Sequence, residues 1–265
     1  MTRVADAIRL DQALVERGLA RSRSQAQQRI AAGLVSVDGR GVVKASQKVP
    51  AGAEIAVSET DAWVSRAAHK LIAALDAFGV DASGRDALDA GASTGGFTQV
   101  LLARGARHVT ALDVGHGQFQ LDVSTHPITL LEGRNVRELE PGSIEPPPSL
   151  VTADLSFISL ALAIGPLVGV AATGADFVVL IKPQFEVGRT GVREGIVTDP
   201  ALRAQAIERV LWAAWDAGLG TAGLIGSPIV GARGNLEYLA HLSASVGSNP
   251  TEWLDECVRL SKEAR

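Results

Sequence analysis

The chain has 265 residues, 46% hydrophobic and 20% charged, a globular composition that excludes a disordered chain and suits one large domain or a large one with a small companion. Cys257 is the only cysteine, which excludes an intramolecular disulfide and a cysteine-rich metal site and fits a reducing, cytoplasmic setting. The net charge of −4 is unevenly spread: residues 1–50 hold nine Lys or Arg against four acids, so a basic module that seeks phosphate precedes an acidic body.

The opening residues MTRVADAIRLDQALVERGLA interrupt every apolar run with charge and lack the features of a secretory signal. Ile8, Leu10, Ala13, Leu14 and Leu19 recur as a helical stripe, and SRSQAQQRIAAG supplies a serine cap, a second helix and a glycine stop at Gly33. VSVDGRGVV alternates around Asp38-Gly39, a two-residue hairpin signal. Arg21, Arg23 and Arg29 fall at the start and along the second helix, whose positive end favours phosphate. The run RLDQALVERGLARSRSQAQQRIAAGLVSVDGR resembles the alpha-L RNA-binding domain, a small α+β module, which makes Arg3, Arg9, Arg21, Arg23, Arg29 and Lys44 candidate RNA contacts. A solvated arginine face on an interaction domain is the competing reading.

The expected division is residues 1–59 for this module, 60–64 (TDAWV) for a linker with Trp63 as a packing anchor, and 65–265 for the body. From Ser65, helix and strand alternate: helix SRAAHKLIAALDAFG, strand DALDA, a glycine turn, helix FTQVLLARG, then strands HVTALDV, PITLLEG, LVTADLS and DFVVLIK. That order predicts an α/β fold with a mostly parallel sheet and helices on both faces. Between Asp154 and Asp176 lie 21 residues without a charge, long enough to span a bilayer. Their Ser, Thr and Gly content and the Gly165-Pro166 pair, expected to break a continuous helix, favour a buried helix and loop. The chain closes with helix DPALRAQAIERVLWAAWDAG, strand TAGLIGSPIV and a last strand in NLEYLAHLSA.

The turn LDAGASTGGF, residues 88–97, is the strongest local signal. Gly91 and Gly96 have the separation of a Walker phosphate loop, but Phe97 stands where its lysine is required. Ser93 replaces the middle glycine of a dinucleotide fingerprint. What remains is D-x-G-x-x-x-G, formed by Asp89, Gly91 and Gly95 and followed by Gly96; it resembles the first motif of Rossmann-like methyltransferases that bind S-adenosylmethionine. Asp113 ends the next strand, 22 residues after Gly91, where an acceptor for ribose hydroxyls is expected. Ser93 and Thr94 are candidates for the cofactor carboxylate or for the helix cap, and Asp89 for cofactor contact or for capping the turn. Arg134 and Asn135 are read either as contacts or as ordinary loop residues.

Lys70, Asp154, Lys182 and Glu237 are the candidate catalytic residues. The last three stand at strand ends, and an Asp and a Lys leaving adjacent buried strands are expected to pair. This K-D-K-E order resembles the tetrad of FtsJ-type ribose methyltransferases. The stretches VSRAAHKL, DAGASTGGFT, ALDVGHGQ, TADLSFISL, IKPQFE and GARGNLEYL extend the resemblance to the TlyA family over essentially the whole chain, with HGQFQLDVSTHP as its departure. That family is described both as hemolysins and as rRNA 2′-O-methyltransferases. The resemblance implies methylation of a cytidine ribose 2′-hydroxyl in rRNA of ribosomal subunits, without a metal. Lys182 is the expected base, its neutral form favoured by desolvation and by Lys70 as a neighbouring cation, with Asp154 and Glu237 orienting. A membrane-active protein and a non-catalytic RNA-binding ribosome factor are the alternatives.

Overall fold

The computed structural model describes residues 7–31, 34–41, 44–57, 63–188 and 191–263. Two compact units divide the chain, Met1–Arg66 and Ala67–Arg265.

The first unit runs through strand β1 (Ile8–Arg9), helices α1 (Leu10–Glu16) and α2 (Arg23–Ala31), and strands β2 (Val35–Val37), β3 (Arg40–Gly41), β4 (Lys48–Val49) and β5 (Ile55–Val57). β1 pairs antiparallel with β4, and β2 lies between β3 and β5. Val37 faces Arg40, so Asp38 and Gly39 form the hairpin turn; their φ of 51° and 75° are the left-handed values a two-residue turn of this kind requires. Leu10, Leu14, Ala26, Ile30, Val35 and Val49 make the core. The helical stripe is shorter than its apolar spacing predicts. Ile8 belongs to β1, opposite Val49, and the left-handed Gly18 (φ 71°) ends the run, with Leu19 N–H bonding back to the Leu14 carbonyl at 2.8 Å. Ser22 Oγ accepts from Gln25 N–H at the start of α2. The predicted stop Gly33, residues 60–62 of the linker and Arg3 lie outside the described residues.

The second unit contains α3 (Ala68–Phe78), β6 (Asp86–Ala90), α4 (Gly96–Ala103), β7 (His108–Asp113), β8 (Ile128–Glu132), β9 (Leu150–Ala153), α5 (Leu160–Val170), β10 (Asp176–Ile181), α6 (Pro183–Glu186), α7 (Pro200–Asp216), β11 (Gly220–Gly226), β12 (Tyr238–Ser243) and α8 (Leu254–Lys262). Its seven-stranded sheet has the order β11-β12-β10-β9-β6-β7-β8. Five strands are parallel, and β12 and β11 add an antiparallel edge. β6 and β9 are buried at every position, as strands covered on both faces must be. From β6 the chain winds outward through β7 and β8, then returns to place β9 on the other side. The switch point, where α/β sheets open a crevice at the carboxyl ends of their strands, therefore lies between β6 and β9.

Two expectations are corrected. α5 runs through Gly165-Pro166 without a break. The bond its proline forgoes would go to the carbonyl of Leu162, a residue 53% exposed and so on the solvent side of the helix. β11 ends at Gly226 instead of reaching Val230: Pro228 has no N–H for the ladder, and the Ser227 hydroxyl turns the chain by donating to the Ile229 carbonyl at 2.7 Å. Among the described residues no helix is long and apolar enough to cross a membrane.

Candidate active site

The glycine turn begins one residue past β6. Gly91 has φ 85°, and a Cβ there would stand 2.6 Å from the carbonyl oxygen of Asp154, so only glycine lets the ends of β6 and β9 approach this closely. Ser93, also left-handed at φ 48°, points its N–H at Asp113 Oδ2, 2.8 Å away, while Gly115 N–H donates to Oδ1 at 2.7 Å. Phe119 and Leu121 pack where a side chain on Gly95 would be, and Gln120 N–H bonds the Thr94 carbonyl, so the loop after β7 seals the turn. That loop is the segment where the sequence departs from its resemblance.

Beside the turn opens a cavity of about 540 Å³, lined among others by Gly91, Ser93, Asp113, Arg134, Asn135 and Asp154. Of the predicted cofactor residues, Gly91, Ser93 and Asp113 reach it, whereas Asp89, Thr94, Gly95 and Gly96 build the turn without lining the cavity. Asp89 is fully buried; Thr98 Oγ1 donates to it at 2.7 Å and Thr152 Oγ1 at 3.3 Å. Burial, reinforced by the charge of Asp154, pushes its carboxyl up to about 7.

The four polar residues resolve into two ion pairs. Lys182 follows Ile181, and Glu237 precedes Tyr238, the residue paired with Ile181 across β10 and β12; Asp154 follows the last residue of β9. Lys182 Nζ lies 2.6 Å from Asp154 Oδ1, the pairing expected of adjacent strands. Lys70, buried on α3, meets Glu237 Oε2 at 2.5 Å. Lys70 is thus neutralised by Glu237 and does not stand as a free cation. Gly231 is tied to this pair, because a Cβ at that position would fall on Glu237 Oε1. The buried Asn235 fixes the segment: its amide donates to the carbonyls of Gly195 (2.8 Å) and Ala232 (3.1 Å) and accepts from Val197 N–H.

Two residues escaped the sequence reading although they stand only two and three positions after the strand-end acid. Ser156 Oγ accepts from Lys182 Nζ at 2.8 Å. Phe157 is 93% exposed with φ 64°, lines the cavity, and lies 5.4 Å from the Phe185 ring. An aromatic side chain held in the open beside a charged pair is a functional signal.

In the first unit the candidate RNA contacts divide. The fully buried Asp11 carboxylate takes both Nε and Nη2 of Arg9 at 2.9 Å, Arg23 at 3.2 Å and Gln27 at 3.0 Å, and Arg9 holds it well below the usual carboxylate range. Arg29 donates to the Leu19 carbonyl at 2.6 Å. Arg21 and Lys44 are exposed.

Comparison with known proteins gives this arrangement its context. A family model for FtsJ-like methyltransferases matches residues 63–244, and one for the S4 domain matches residues 8–55. The chain is 49% identical over 238 residues to the 16S/23S rRNA (cytidine-2′-O)-methyltransferase TlyA of Mycobacterium tuberculosis, covering 88% of this chain and 89% of that protein. It is 38% identical to hemolysin A of Brachyspira hyodysenteriae, covering 88% and 99%. A solved structure named as a hemolysin from Streptococcus thermophilus matches at 36% identity with a TM-score of 0.72, covering 96% of this chain and 95% of that one. The chain belongs to the TlyA family, an FtsJ-like methyltransferase domain preceded by an S4 domain.

Proposed function

We propose that this chain transfers a methyl group from S-adenosylmethionine to the 2′-hydroxyl of a cytidine in ribosomal RNA, acting on ribosomal subunits in the cytoplasm. The observation that carries the reading is the pair Lys182–Asp154, 2.6 Å apart, whose Asp154 lines a cavity together with Asp113 and with Gly91 and Ser93 of the glycine turn. The name of the M. tuberculosis relative supplies the nucleotide and the RNA.

The donor set fits the cofactor. Each oxygen of Asp113 accepts one backbone N–H and keeps a lone pair, which suits it to receive the two hydroxyls of a nucleoside ribose. S-adenosylmethionine supplies a sulfonium methyl group that needs no metal to make it electrophilic.

The chain's own residues do the rest. A ribose hydroxyl is protonated at neutral pH, so its oxygen needs a base within hydrogen-bond reach. Lys182 in its amine form accepts that proton, and the Asp154 carboxylate stabilises the ammonium that results. Lys70, held by Glu237, contributes its remaining N–H donors to orient substrate oxygens. The exposed Phe157 ring offers a stacking surface for the target base. Arg21 and Lys44 of the first unit grip the RNA backbone.

Ribosomal subunits incubated with the protein and labelled cofactor are expected to acquire a nuclease-resistant 2′-O-methyl nucleotide. Lys182→Ala lowers the rate at least about 100-fold, the usual scale of losing a general base, and leaves cofactor affinity intact. Full activity in that variant overturns the lysine mechanism, and RNA binding without any methylated product overturns the enzymatic reading altogether.

A further inference from the structure

Lys182 has two polar neighbours, an ion-pair partner inside the tetrad and a hydrogen-bond acceptor outside it. Its Nζ lies 2.6 Å from Asp154 Oδ1 and donates to Ser156 Oγ at 2.8 Å. We propose that Ser156 is a positioning residue for Lys182, fixing the direction of the amine lone pair that takes the substrate proton. The proposal rests on the reading of Lys182 as the base.

An ammonium carries three N–H groups in tetrahedral directions. Ser156 takes one of them in a hydrogen bond, Asp154 attracts the ammonium by its charge without aligning with an N–H, and the ring of Phe185, with its centroid 6.0 Å from Nζ, is too far to take another. When the lysine is an amine, the hydrogen bond to Ser156 holds one of its two N–H groups and confines the lone pair to the two remaining directions. With Asp154 alone as anchor, the amine turns about its Cε–Nζ bond and only a fraction of its rotamers present the lone pair to the hydroxyl. In transfer, the O–H bond of the ribose breaks as the third N–H bond of Lys182 forms. The oxygen's electron pair would take up the methyl group as the sulfur–methyl bond of the cofactor breaks and its electron pair stays on sulfur, and Ser156 keeps its own proton throughout.

The loop that carries Ser156 is held in register with the lysine by a second tie. Lys182 caps α6, and Glu186 at the other end of that one-turn helix, 3% exposed, accepts from Ser159 Oγ and from Leu160 N–H, both at 2.6 Å. The same four-residue helix therefore begins at the base and fastens the loop spanning Ser156. Within that loop Phe157 adopts φ 64°, a strained value for a side chain of its size. Asp154 and Ser156 both line the cavity, so the lysine is anchored to its wall on two sides. Ser156 as a residue is exposed, which makes a core-packing role a poor account of it.

The test compares Ser156→Ala and Ser156→Thr with the unaltered full chain, using ribosomal subunits and labelled S-adenosylmethionine, with Lys182→Ala run alongside. Ser156→Ala is expected to lower kcat about ten-fold, the scale of one orienting hydrogen bond. KM for cofactor and RNA and the melting temperature stay unchanged, and threonine, which keeps the hydroxyl, restores kcat to within about three-fold. In the Lys182→Ala background the alanine substitution has no further effect. Wild-type kcat in Ser156→Ala, or an equal loss in the alanine and threonine variants, overturns the proposal. If Lys182→Ala is inactive while Ser156→Ala is fully active, only the positioning role fails; if Lys182→Ala is active, the underlying reading fails with it.

Discussion

A carboxylate sealed among apolar strands depends on whatever donors its neighbours supply, and for Asp89 these are the hydroxyls of Thr98 and Thr152 with the Thr98 backbone. They only partly offset its burial, so the folded carboxyl stays protonated up to about pH 7. The sign follows from linkage. Below about pH 4 the carboxyl is protonated in folded and unfolded chains alike. Between about 4 and 7 the unfolded chain gives up the proton and the folded one keeps it, so stability falls as pH rises through this window, and the loss is complete above it. Asp89→Asn removes the dependence, because its carbonyl still accepts from Thr98 and its amide finds the Thr152 oxygen. Urea unfolding at pH 5 and pH 8 is expected to give a stability difference between variant and parent that grows with pH by an amount on the order of 3 kcal/mol. A constant difference contradicts the raised carboxyl. Gly231 gives a second residue-scale outcome. Its φ of −70° suits any side chain, so the objection to alanine is purely the Glu237 carboxylate that occupies the Cβ position. Gly231→Ala is expected to pull Glu237 from Lys70, leave two buried charges poorly paired, and destabilise the protein by about 2–4 kcal/mol with loss of methyl transfer. Thermal unfolding and the methylation assay read both effects.

At the level of elements, Pro166 makes α5 a helix with a removable defect. It sits inside an 11-residue helix where alanine would regain the bond to the Leu162 carbonyl. Pro166→Ala is therefore expected to raise stability by about 1–3 kcal/mol, read as a higher denaturant midpoint with unchanged slope. The same helix marks a boundary of what is legible in the sequence. A Gly-Pro pair argues locally for a break, and the packing of Leu160, Ala163, Ile164 and Leu167 into the core overrides it. Where local pattern and tertiary packing agree, the reading holds: the buried strands β9 and β10 appear as nearly continuous apolar runs, and Asp38-Gly39 forms the expected turn. β1, β3 and β4, at two residues each, are too short to carry any periodicity and exist only through their partners. The site follows the same division. Asp113, Asp154 and Lys182 are readable because polar groups at the ends of buried strands stand out. That Lys70 pairs with Glu237, 167 positions away, or that Gly91 makes room for the carbonyl of Asp154, depends on contacts between segments that no local pattern encodes.

For the molecule as a whole, the separation of charge sets how it meets a polyanion. The first 50 residues carry the excess of positive charge, and the remainder is acidic, so under the proposed function contact with RNA backbone is expected to fall to the S4 unit while the acidic body is repelled except where specific groups engage. Within that unit the cations are unequal. Arg9 and Arg23 share the buried Asp11 carboxylate and Arg29 bonds the Leu19 carbonyl, whereas Arg21 and Lys44 are exposed. A guanidinium already paired with a carboxylate releases fewer counterions on meeting a phosphate than a free one does. Affinity for rRNA is thus expected to fall linearly with salt on logarithmic axes, and Arg21→Glu and Lys44→Glu each to flatten that slope by about one contact. Their losses are largest in dilute salt and shrink as salt rises, while kcat at saturating RNA stays at the parent value because neither residue belongs to the transfer site. Lys182→Ala makes the opposite pattern, an intact salt slope with little or no transfer. Filter binding across a salt series with methylation measured on the same preparations separates the two, and an unchanged slope in both S4 variants assigns the phosphate contacts to other residues.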